Sequence, residues 1–330
     1  MKKALILSGG GSRGSFQVGV WKYLKEINWY PDMICGTSVG AINAVAIGCG
    51  LTVKQLSDIW VKSGRRKIYS LKLLDFAANI LLRKRLVPLM DTTPFKSMLQ
   101  SSVDFGRLKK SNIEIIISAV NLHTALPEFF NQNEITIDHV MASGSMPVIF
   151  PSQMIDGVPY WDGGIMANIP LLPALARGMN EIIVVPLSPV GHVHRLPEPR
   201  SLMDAGEHLM EQSLVSSYQS TLMGYGSPGI NDLVPGSSYL RKKNMYRNEA
   251  LNMYRNPSLN PDDPPLNPAG QDHLQTHATP RIITIAPSKM LGIPSLLNFT
   301  PEQANSLMAQ GYDNARSQLK EISRLYKKTL

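Results

Sequence analysis

The fold is decided by the stretch ALILSGGGSRG at residues 4–14, in which a short apolar run passes directly into a glycine-rich loop. Ala4–Ser8 has the composition of a buried strand, and apolar residues recur at helical spacing over Ser15–Ile27. Strand, glycine turn and helix therefore form the opening unit of the chain.

A second unit of the same kind follows directly. Asp32–Cys35 is predicted to be a short strand and Val39–Cys49 a helix, with Gly36-Thr37-Ser38 between them. Further strands are predicted at Ile113–Val120, Ile182–Pro186 and Arg281–Ala286, and further helices at Asp138–Ser143, Leu171–Arg177 and Pro301–Tyr326. This alternation predicts an α/β fold with a mostly parallel central sheet flanked by helices.

The length of the chain allows one large domain with a long insertion. With 330 residues, of which 43% are apolar, we expect residues 1–330 to form a single domain with a sizeable core. Residues 191–280 interrupt the alternation as a partly irregular insertion, in which a helical pattern at Leu202–Leu222 gives way to the proline-rich run Asn256–Pro268. Such a segment is either a functional cover or disordered, and the apolar residues of its helical part favour a lid.

Composition limits the compartment and the partners. No run reaches the roughly 18 apolar residues of a membrane-spanning helix, and the cysteines lie in apolar sequence, so a reduced, cytoplasmic protein is predicted. The net charge of +8 indicates attraction to polyanions. The basic run Arg65-Arg66-Lys67 precedes the apolar stretch Tyr69–Leu86, which predicts either a core helix with solvated ends, the interpretation we favour, or peripheral contact with an anionic membrane.

The loop Gly9–Gly14 presents several backbone N–H groups beside the positive end of a helix, an arrangement that binds negative charge. It also satisfies the dinucleotide-binding pattern G-x-G-x-x-G. That function would need an acidic residue at the end of the second strand, but Asp32 stands at its start and Cys35-Gly36 at its end. A P-loop would need Lys-Ser/Thr after the last glycine, and this is missing too. The preferred interpretation is therefore an oxyanion-binding loop.

Gly36-Thr37-Ser38-Val39-Gly40 is a G-x-S-x-G motif at a predicted junction of strand and helix. Small flanking residues permit the sharp turn that exposes a serine hydroxyl, and the dipole of the following helix stabilises charge that develops there. In this context the motif predicts Ser38 as a nucleophile. The alternative is a serine that merely caps the Val39–Cys49 helix.

The serine needs a base, and none of the seven histidines stands in a setting that suggests catalysis. Only one strand precedes the strand that leads into the G-x-S-x-G motif, whereas several precede it in α/β-hydrolases. A Ser-His-Asp triad is therefore only an alternative. A carboxylate held in a tight glycine turn is the simplest substitute, and Trp161-Asp162-Gly163-Gly164 offers one. The competing interpretation is an Asp-Gly turn in a hairpin.

Taken in order, these three elements resemble the patatin-like phospholipases. Gly9–Gly14 is similar to their G-G-G-x-R-G loop, Gly36–Gly40 to their G-T-S-x-G elbow and Asp162–Gly164 to their D-G-G turn. Further similarity lies at Ala142–Pro147, Phe150-Pro151, Asp156-Gly157 and Asn168–Pro170. The resemblance extends over roughly residues 4–190 and implies the three-layer α/β/α fold of that family.

The resemblance also implies a Ser-Asp dyad that needs no metal and no cofactor, with Ser38 attacking the ester carbonyl and Asp162 accepting its proton. The other implied roles are an oxyanion hole from the N–H groups of Gly10, Gly11 and Val39, loop ordering or substrate orientation by Gly9, Arg13 and Gly14, and tight turns at Gly36, Gly40, Gly163 and Gly164. For Arg13, both loop ordering and contact with a lipid phosphate stay open.

The chain is therefore predicted to be a hydrolase, more narrowly a serine lipid acyl hydrolase of the phospholipase A or lysophospholipase type. Its partners would be a phospholipid, a lysophospholipid or another acyl ester, and no nucleic acid. Two other functions are alternatives. One is a catalytically inactive membrane- or partner-binding protein on the same fold, and the other is a nucleotide-binding protein or oxidoreductase.

Overall fold

The structure, a computed structural model, describes residues 1–62, 64, 70–71, 89–190, 198–225 and 280–327. Its strands are β1 (Lys3–Leu7), β2 (Met33–Thr37), β3 (Ser70–Leu71), β4 (Met90–Asp91), β5 (Glu114–Asn121), β6 (Leu126–Asn131), β7 (Gln153–Ile155), β8 (Val158–Asp162), β9 (Glu181–Val185) and β10 (Arg281–Thr284). Its helices are α1 (Ser15–Glu26), α2 (Val39–Gly48), α3 (Val53–Lys62), α4 (Thr93–Ser102), α5 (Phe105–Lys109), α6 (Ile137–Ser143), α7 (Gly164–Ala167), α8 (Leu172–Ala176), α9 (Leu202–Tyr225) and α10 (Pro301–Lys327). Short 3₁₀ turns cover Gly11–Gly14 and Ile293–Leu296.

The main sheet has the strand order β10-β9-β1-β2-β5-β8-β7, and β6 pairs with β5 as well. Strands β10, β9, β1, β2 and β5 run parallel, whereas β6, β7 and β8 pair in the antiparallel sense. The predicted α/β fold with a mostly parallel central sheet is therefore confirmed. Strands β3 and β4 form a separate antiparallel pair.

Side chains of the central strands alternate between two hydrophobic cores. Leu5 and Leu7 of β1 belong to the core shared with α1, α2, α3 and α10, while Ala4 and Ile6 belong to the core on the other face, with α8 and α9. Because both faces of these strands are buried, the strands read as continuous apolar runs. Helices on both faces give the three-layer α/β/α arrangement.

The antiparallel strands were not among the predicted ones. β6 and β8 contain Pro127 and Pro159, which sequence patterns associate with loops, and β7 has only three residues. The hairpin turn between β7 and β8 is Asp156-Gly157, with φ of 48° and 81°. The hairpin interpretation of Asp162 is therefore wrong, because Asp162 ends β8 and the chain continues into α7.

The predicted lid and the predicted membrane or core segment fall largely outside the described residues. Of residues 191–280 the structure describes 198–225 and 280, so the single-domain organisation with a lid stays a prediction. The stretch Tyr69–Leu86 is described only at residues 70–71, and Arg65-Arg66-Lys67 lies outside the described residues. Within the described ranges, none of the helices has the length and apolar character to cross a membrane.

Helices α1 and α10 approach each other closely at two glycines. A Cβ atom on Gly19 of α1 would meet the backbone carbonyl of Met308, and a Cβ atom on Gly311 of α10 would meet that of Phe16. The two backbones are therefore in contact, which fastens α10 to the first helix after the glycine loop.

Gly311→Ala is expected to lower the free energy of unfolding by about 1–3 kcal/mol, because the added methyl group must push two helix backbones apart. Gly206→Ala in α9 is the matched control, since no described atom lies within 4 Å of the added Cβ. It should raise the free energy of unfolding by up to about 1 kcal/mol through helix propensity. Urea unfolding measures both changes, and equal effects of the two substitutions would contradict the close helix packing.

Candidate active site

The site lies where two strands meet end to end beside β5. Thr37, the last residue of β2, pairs with Ser118, and Asp162, the last residue of β8, pairs with Ala119. Because β6 occupies the other edge of β5, β2 and β8 share one edge and run towards each other along it. The junction brings the side chains of Ser38 and Asp162 together.

Ser38 occupies a strained turn between β2 and α2, with φ of 53° and ψ of −122°. Such a conformation costs a non-glycine residue about 1–3 kcal/mol and persists where the surroundings enforce it. The Ser38 amide donates to Oγ of Ser143 at 2.8 Å, which helps to hold the turn. Space requires Gly36 and Gly40, because a Cβ on Gly36 would meet the carbonyl of Gly40 and a Cβ on Gly40 that of Leu7.

Asp162 is 1% exposed and accepts two hydrogen bonds. Its Oδ2 accepts from the Ser38 hydroxyl at 2.7 Å, and its Oδ1 accepts from the Gly164 amide at 2.7 Å. Burial disfavours the charged form and raises the pKa of Asp162 to about 7, although both hydrogen bonds act in the opposite direction. A carboxyl group with this pKa can exchange a proton with the serine near neutral pH.

No histidine of the described residues is hydrogen-bonded to this pair. His139 is buried, bonds through Nδ1 to Thr136 and packs against the Phe130 ring at 4.4 Å. Four of the remaining histidines lie outside the described residues, at His192, His194, His273 and His277. Nor do the described His, Cys, Asp and Glu side chains form a group of three that could hold a metal ion.

The glycine loop lies beside the serine. A Cβ atom on Gly9 would be only 3.0 Å from Cβ of Ser38. Gly10 and Gly11 have φ of 151° and 58°, which residues with a side chain rarely adopt. Glycine at these two positions therefore lets the loop turn its backbone close to Ser38.

Several backbone N–H groups near Ser38 differ in whether they are hydrogen-bonded. The Gly9 amide donates to the carbonyl oxygen of Asn168 at 3.1 Å. Within the described parts of the chain, the amides of Gly10 and Gly11 have no acceptor, and neither has the amide of Val39 in the first turn of α2. Gly10 and Gly11 precede the Ser38 turn in sequence and Val39 follows it, so these are the N–H groups from which an oxyanion site could be built.

Arg13 is fully buried and uses all its donors within the protein. The acceptors are Oγ of Ser295, the carbonyl of Leu187, Oγ of Ser188, a carboxylate oxygen of Glu211 and the carbonyl of Gly292, at 2.7, 3.2, 3.4, 2.7 and 2.8 Å. A guanidinium has five N–H donors, so none is left for a lipid phosphate. Of the two roles left open by the sequence, the geometry favours loop ordering.

An apolar cavity opens at Ser38 and follows one side of α2, where Val39, Ile42 and Ala46 line it at helical spacing. Large apolar side chains form the other walls, among them Leu56, Trp60, Phe95, Leu99, Met141, Leu296 and Phe299. An apolar lining of this kind is typical of sites that bind apolar ligands.

Three residues that support the site have no role in the prediction from sequence. Ser143 and Asn168 lie in segments that resemble the family, but no sequence pattern indicates their hydrogen bonds to the elbow and the glycine loop. Glu211 has a detectable signal, because it falls at helical spacing with Leu214 and Tyr218. An acidic residue on the apolar face of a helix indicates a buried cationic partner.

Comparison with known proteins supplies relatives. The chain is similar to a cGAMP-activated phospholipase of Vibrio cholerae, with 29% identity over 51% of this chain and 55% of that protein. It is also similar to a cGAMP-activated phospholipase of Escherichia coli, with 24% identity over 76% of each chain. The lysophospholipase NTE1 of Eremothecium gossypii shows 28% identity over 62% of this chain and 13% of its own. This chain thus spans about half the length of its Vibrio relative.

A family model described as patatin-like phospholipase matches residues 5–175, slightly more than half of the chain. The matched range contains the glycine loop, the serine elbow and the Asp-Gly-Gly turn, in which the resemblance lies. The chain belongs to the patatin-like phospholipase family.

Proposed function

We propose that the protein is a serine lipid acyl hydrolase of the phospholipase A or lysophospholipase type, with Ser38 as nucleophile and Asp162 as base. The observation that carries this proposal is the 2.7 Å hydrogen bond from the Ser38 hydroxyl to the buried Asp162 carboxylate, with Ser38 in the lining of an apolar cavity. The names of two relatives, a phospholipase and a lysophospholipase, support a lipid ester as the substrate.

Acylation begins when Ser38 Oγ forms a bond to the ester carbonyl carbon while its proton moves to Asp162 Oδ2. The carbonyl oxygen becomes an oxyanion, which the amides of Gly10, Gly11 and Val39 stabilise. One such donor is worth roughly 3–4 kcal/mol in other serine hydrolases. The bond to the alcohol oxygen then breaks, and Asp162 returns the proton to this leaving group. The product is an acyl ester of Ser38.

Deacylation repeats these steps with water as the nucleophile. Asp162 takes a proton from water while the water oxygen bonds to the acyl carbon, and the same amides hold the second oxyanion. The bond to Ser38 Oγ breaks, Oγ regains the proton from Asp162, and a fatty acid leaves. A base with a pKa near neutral suits both directions of transfer.

The acyl chain is proposed to occupy the cavity along α2. Ala46 is eight positions after Ser38, so this side of the cavity is about 12 Å long at the rise of an α-helix. The lining is apolar over this length, with Ile42 between the two ends. A fatty-acyl chain therefore gains binding energy from burial, whereas a short soluble ester gains little.

The nucleotide-binding alternative lacks support from the site. Asp32 is the acidic residue closest to the position that a ribose would require, and its Oδ2 accepts a hydrogen bond from the Lys3 amide at 2.7 Å. It serves the start of the sheet and not the glycine loop. A catalytically inactive protein would not react with a reagent that labels activated serines, whereas the hydrolase would.

Ser38→Ala and Asp162→Asn are each expected to lower the turnover of phospholipid and of short-chain esters by about 10³-fold or more, because nucleophile and base act as a unit. Ser38→Ala should also abolish labelling by a fluorophosphonate, which reacts with activated serines. Labelling and turnover are measured on the same purified samples, with folding checked by circular dichroism.

Asp156→Asn is the matched control for Asp162→Asn. Asp156 also precedes a glycine, but it lies in the exposed β7–β8 turn, where asparagine tolerates the observed φ of 48°. This variant should retain wild-type turnover. Wild-type protein that neither labels nor hydrolyses, with or without lipid vesicles, would refute the hydrolase proposal and favour an inactive binding protein on the same fold.

The activity is expected to depend on the ionisation of Asp162. As a base, Asp162 must be deprotonated, so kcat/KM should be level above its pKa of about 7 and fall about tenfold per pH unit below it. A pH profile with a soluble ester measures this limb between pH 5 and 9. A profile that stays flat down to pH 5 would show that no group with this pKa controls the reaction.

Ala46→Leu is expected to shorten the acyl chains that the enzyme accepts, because the larger side chain fills the far end of the cavity. For p-nitrophenyl palmitate, kcat/KM should fall about tenfold or more, in line with the cost of a few excluded methylene groups. For p-nitrophenyl butyrate it should change little. An equal loss with both esters would place the acyl chain elsewhere.

A further inference from the structure

Helix α9 contributes a buried acidic residue to the surroundings of the glycine loop. Glu211 is 3% exposed, and its Oε1 lies 2.7 Å from a terminal nitrogen of Arg13. It lies at helical spacing with Val215 and Tyr218, which pack in the core beneath the sheet. Glu211 lies beyond residues 5–175, so it stands outside the part of the chain that matches the family.

Glu211 is the charged member of the Arg13 network. Among the five acceptors of Arg13 in the described residues, the other four are carbonyl or hydroxyl oxygens. A buried guanidinium without a counter-ion is strongly unfavourable, so Arg13 keeps its place in the core because Glu211 neutralises it. The position of the guanidinium therefore depends on α9.

Arg13 in turn fixes the backbone that would hold the oxyanion. Its amide donates to the Gly10 carbonyl at 3.3 Å, which closes the turn that contains Gly11. Its Nε donates to Ser295 Oγ, and the hydroxyl of Ser12 donates to the Ser295 carbonyl. A shift of the guanidinium would therefore move the amides of Gly10 and Gly11.

The same helix holds the loop from a second direction. Asn168 Nδ2 donates to the Leu214 carbonyl at 2.7 Å, and the Asn168 carbonyl accepts from the Gly9 amide at 3.1 Å. Gly9 is thus connected to α9 through Asn168, and Gly10 is connected to it through Arg13. Only the second connection depends on a charge.

We propose that Glu211 is a positioning residue for the oxyanion loop, acting through Arg13 to align the amides of Gly10 and Gly11 with the developing charge. This inference rests on the proposed function. Helix α9, which lies in the region 191–280, would then contribute to the rate of the chemical step, whether or not this region also acts as a lid. Interactions made in the transition state lower kcat when lost, while KM changes little.

Glu211→Gln tests the proposal, since glutamine keeps the size and one acceptor but removes the charge. We expect kcat for p-nitrophenyl butyrate and the rate constant of fluorophosphonate labelling to fall about tenfold, a fraction of the loss caused by removing one oxyanion donor. KM should stay within about twofold, and the labelled fraction should reach that of wild type at long times. Asp204→Asn is the matched control, because Asp204 lies on the same helix and accepts from the Arg200 amide, away from Arg13.

Each outcome decides the inference. If Glu211 is merely structural, Glu211→Gln lowers the thermal midpoint or the labelled fraction, while the labelling rate constant of the folded molecules equals that of wild type. That result would overturn the inference. As a second variant, Glu211→Ala with added formate should regain part of its labelling rate, because formate can replace the missing carboxylate. No rescue in a folded Glu211→Ala protein would count against the proposal, whereas wild type that fails to label would instead refute the hydrolase function.

Discussion

The site depends on one constraint, the end-to-end meeting of β2 and β8 along a single edge of β5. The parallel sheet brings Ser38 to this edge, and the antiparallel strand brings Asp162 to it from the opposite direction. In β5, the partner of Thr37 is Ser118 and the partner of Asp162 is the next residue, Ala119, so no residue of β5 lies between them. Gly163 is required at this junction, because a Cβ there would meet the side chain and the carbonyl of Ser118. The Thr37 hydroxyl lies 2.6 Å from that of Ser118, and this contact joins the end of β2 to β5.

Burial of this junction sets the chemistry and has a cost for stability. Desolvation raises the pKa of Asp162 from 3.8 to about 7. Between these two pH values the folded protein binds a proton that the unfolded chain does not. The free energy of unfolding therefore falls as the pH rises from 3.8 to about 7. A hydrogen bond from Ser38 and one from the Gly164 amide offset part of the desolvation. A carboxyl group that titrates near neutral pH is thus obtained at the expense of stability, and the surrounding layers must supply the difference.

Prediction from sequence succeeds where a local pattern determines the structure. The two opening βα units and the glycine turns could be predicted because apolar runs, glycines and helical spacing all lie within fifty residues. The antiparallel half of the sheet could not, since Pro159 makes β8 resemble a loop and its pairing with β5 joins residues some forty positions apart. The same holds for the Arg13 network, in which Glu211 is 198 residues away in sequence. Motifs thus predict which residues form the site, whereas long-range pairing decides how they are held.

The proposed nucleophile and oxyanion hole are tested most directly by a crystal structure of the protein after reaction with a long-chain alkyl fluorophosphonate. The expected structure has phosphorus bonded to Ser38 Oγ, the phosphonyl oxygen about 2.7–3.1 Å from the amides of Gly10 or Gly11, and the alkyl chain along α2 towards Ala46. Phosphorus on a different residue, or a phosphonyl oxygen that points away from the glycine loop, would contradict the assignment of nucleophile and oxyanion hole.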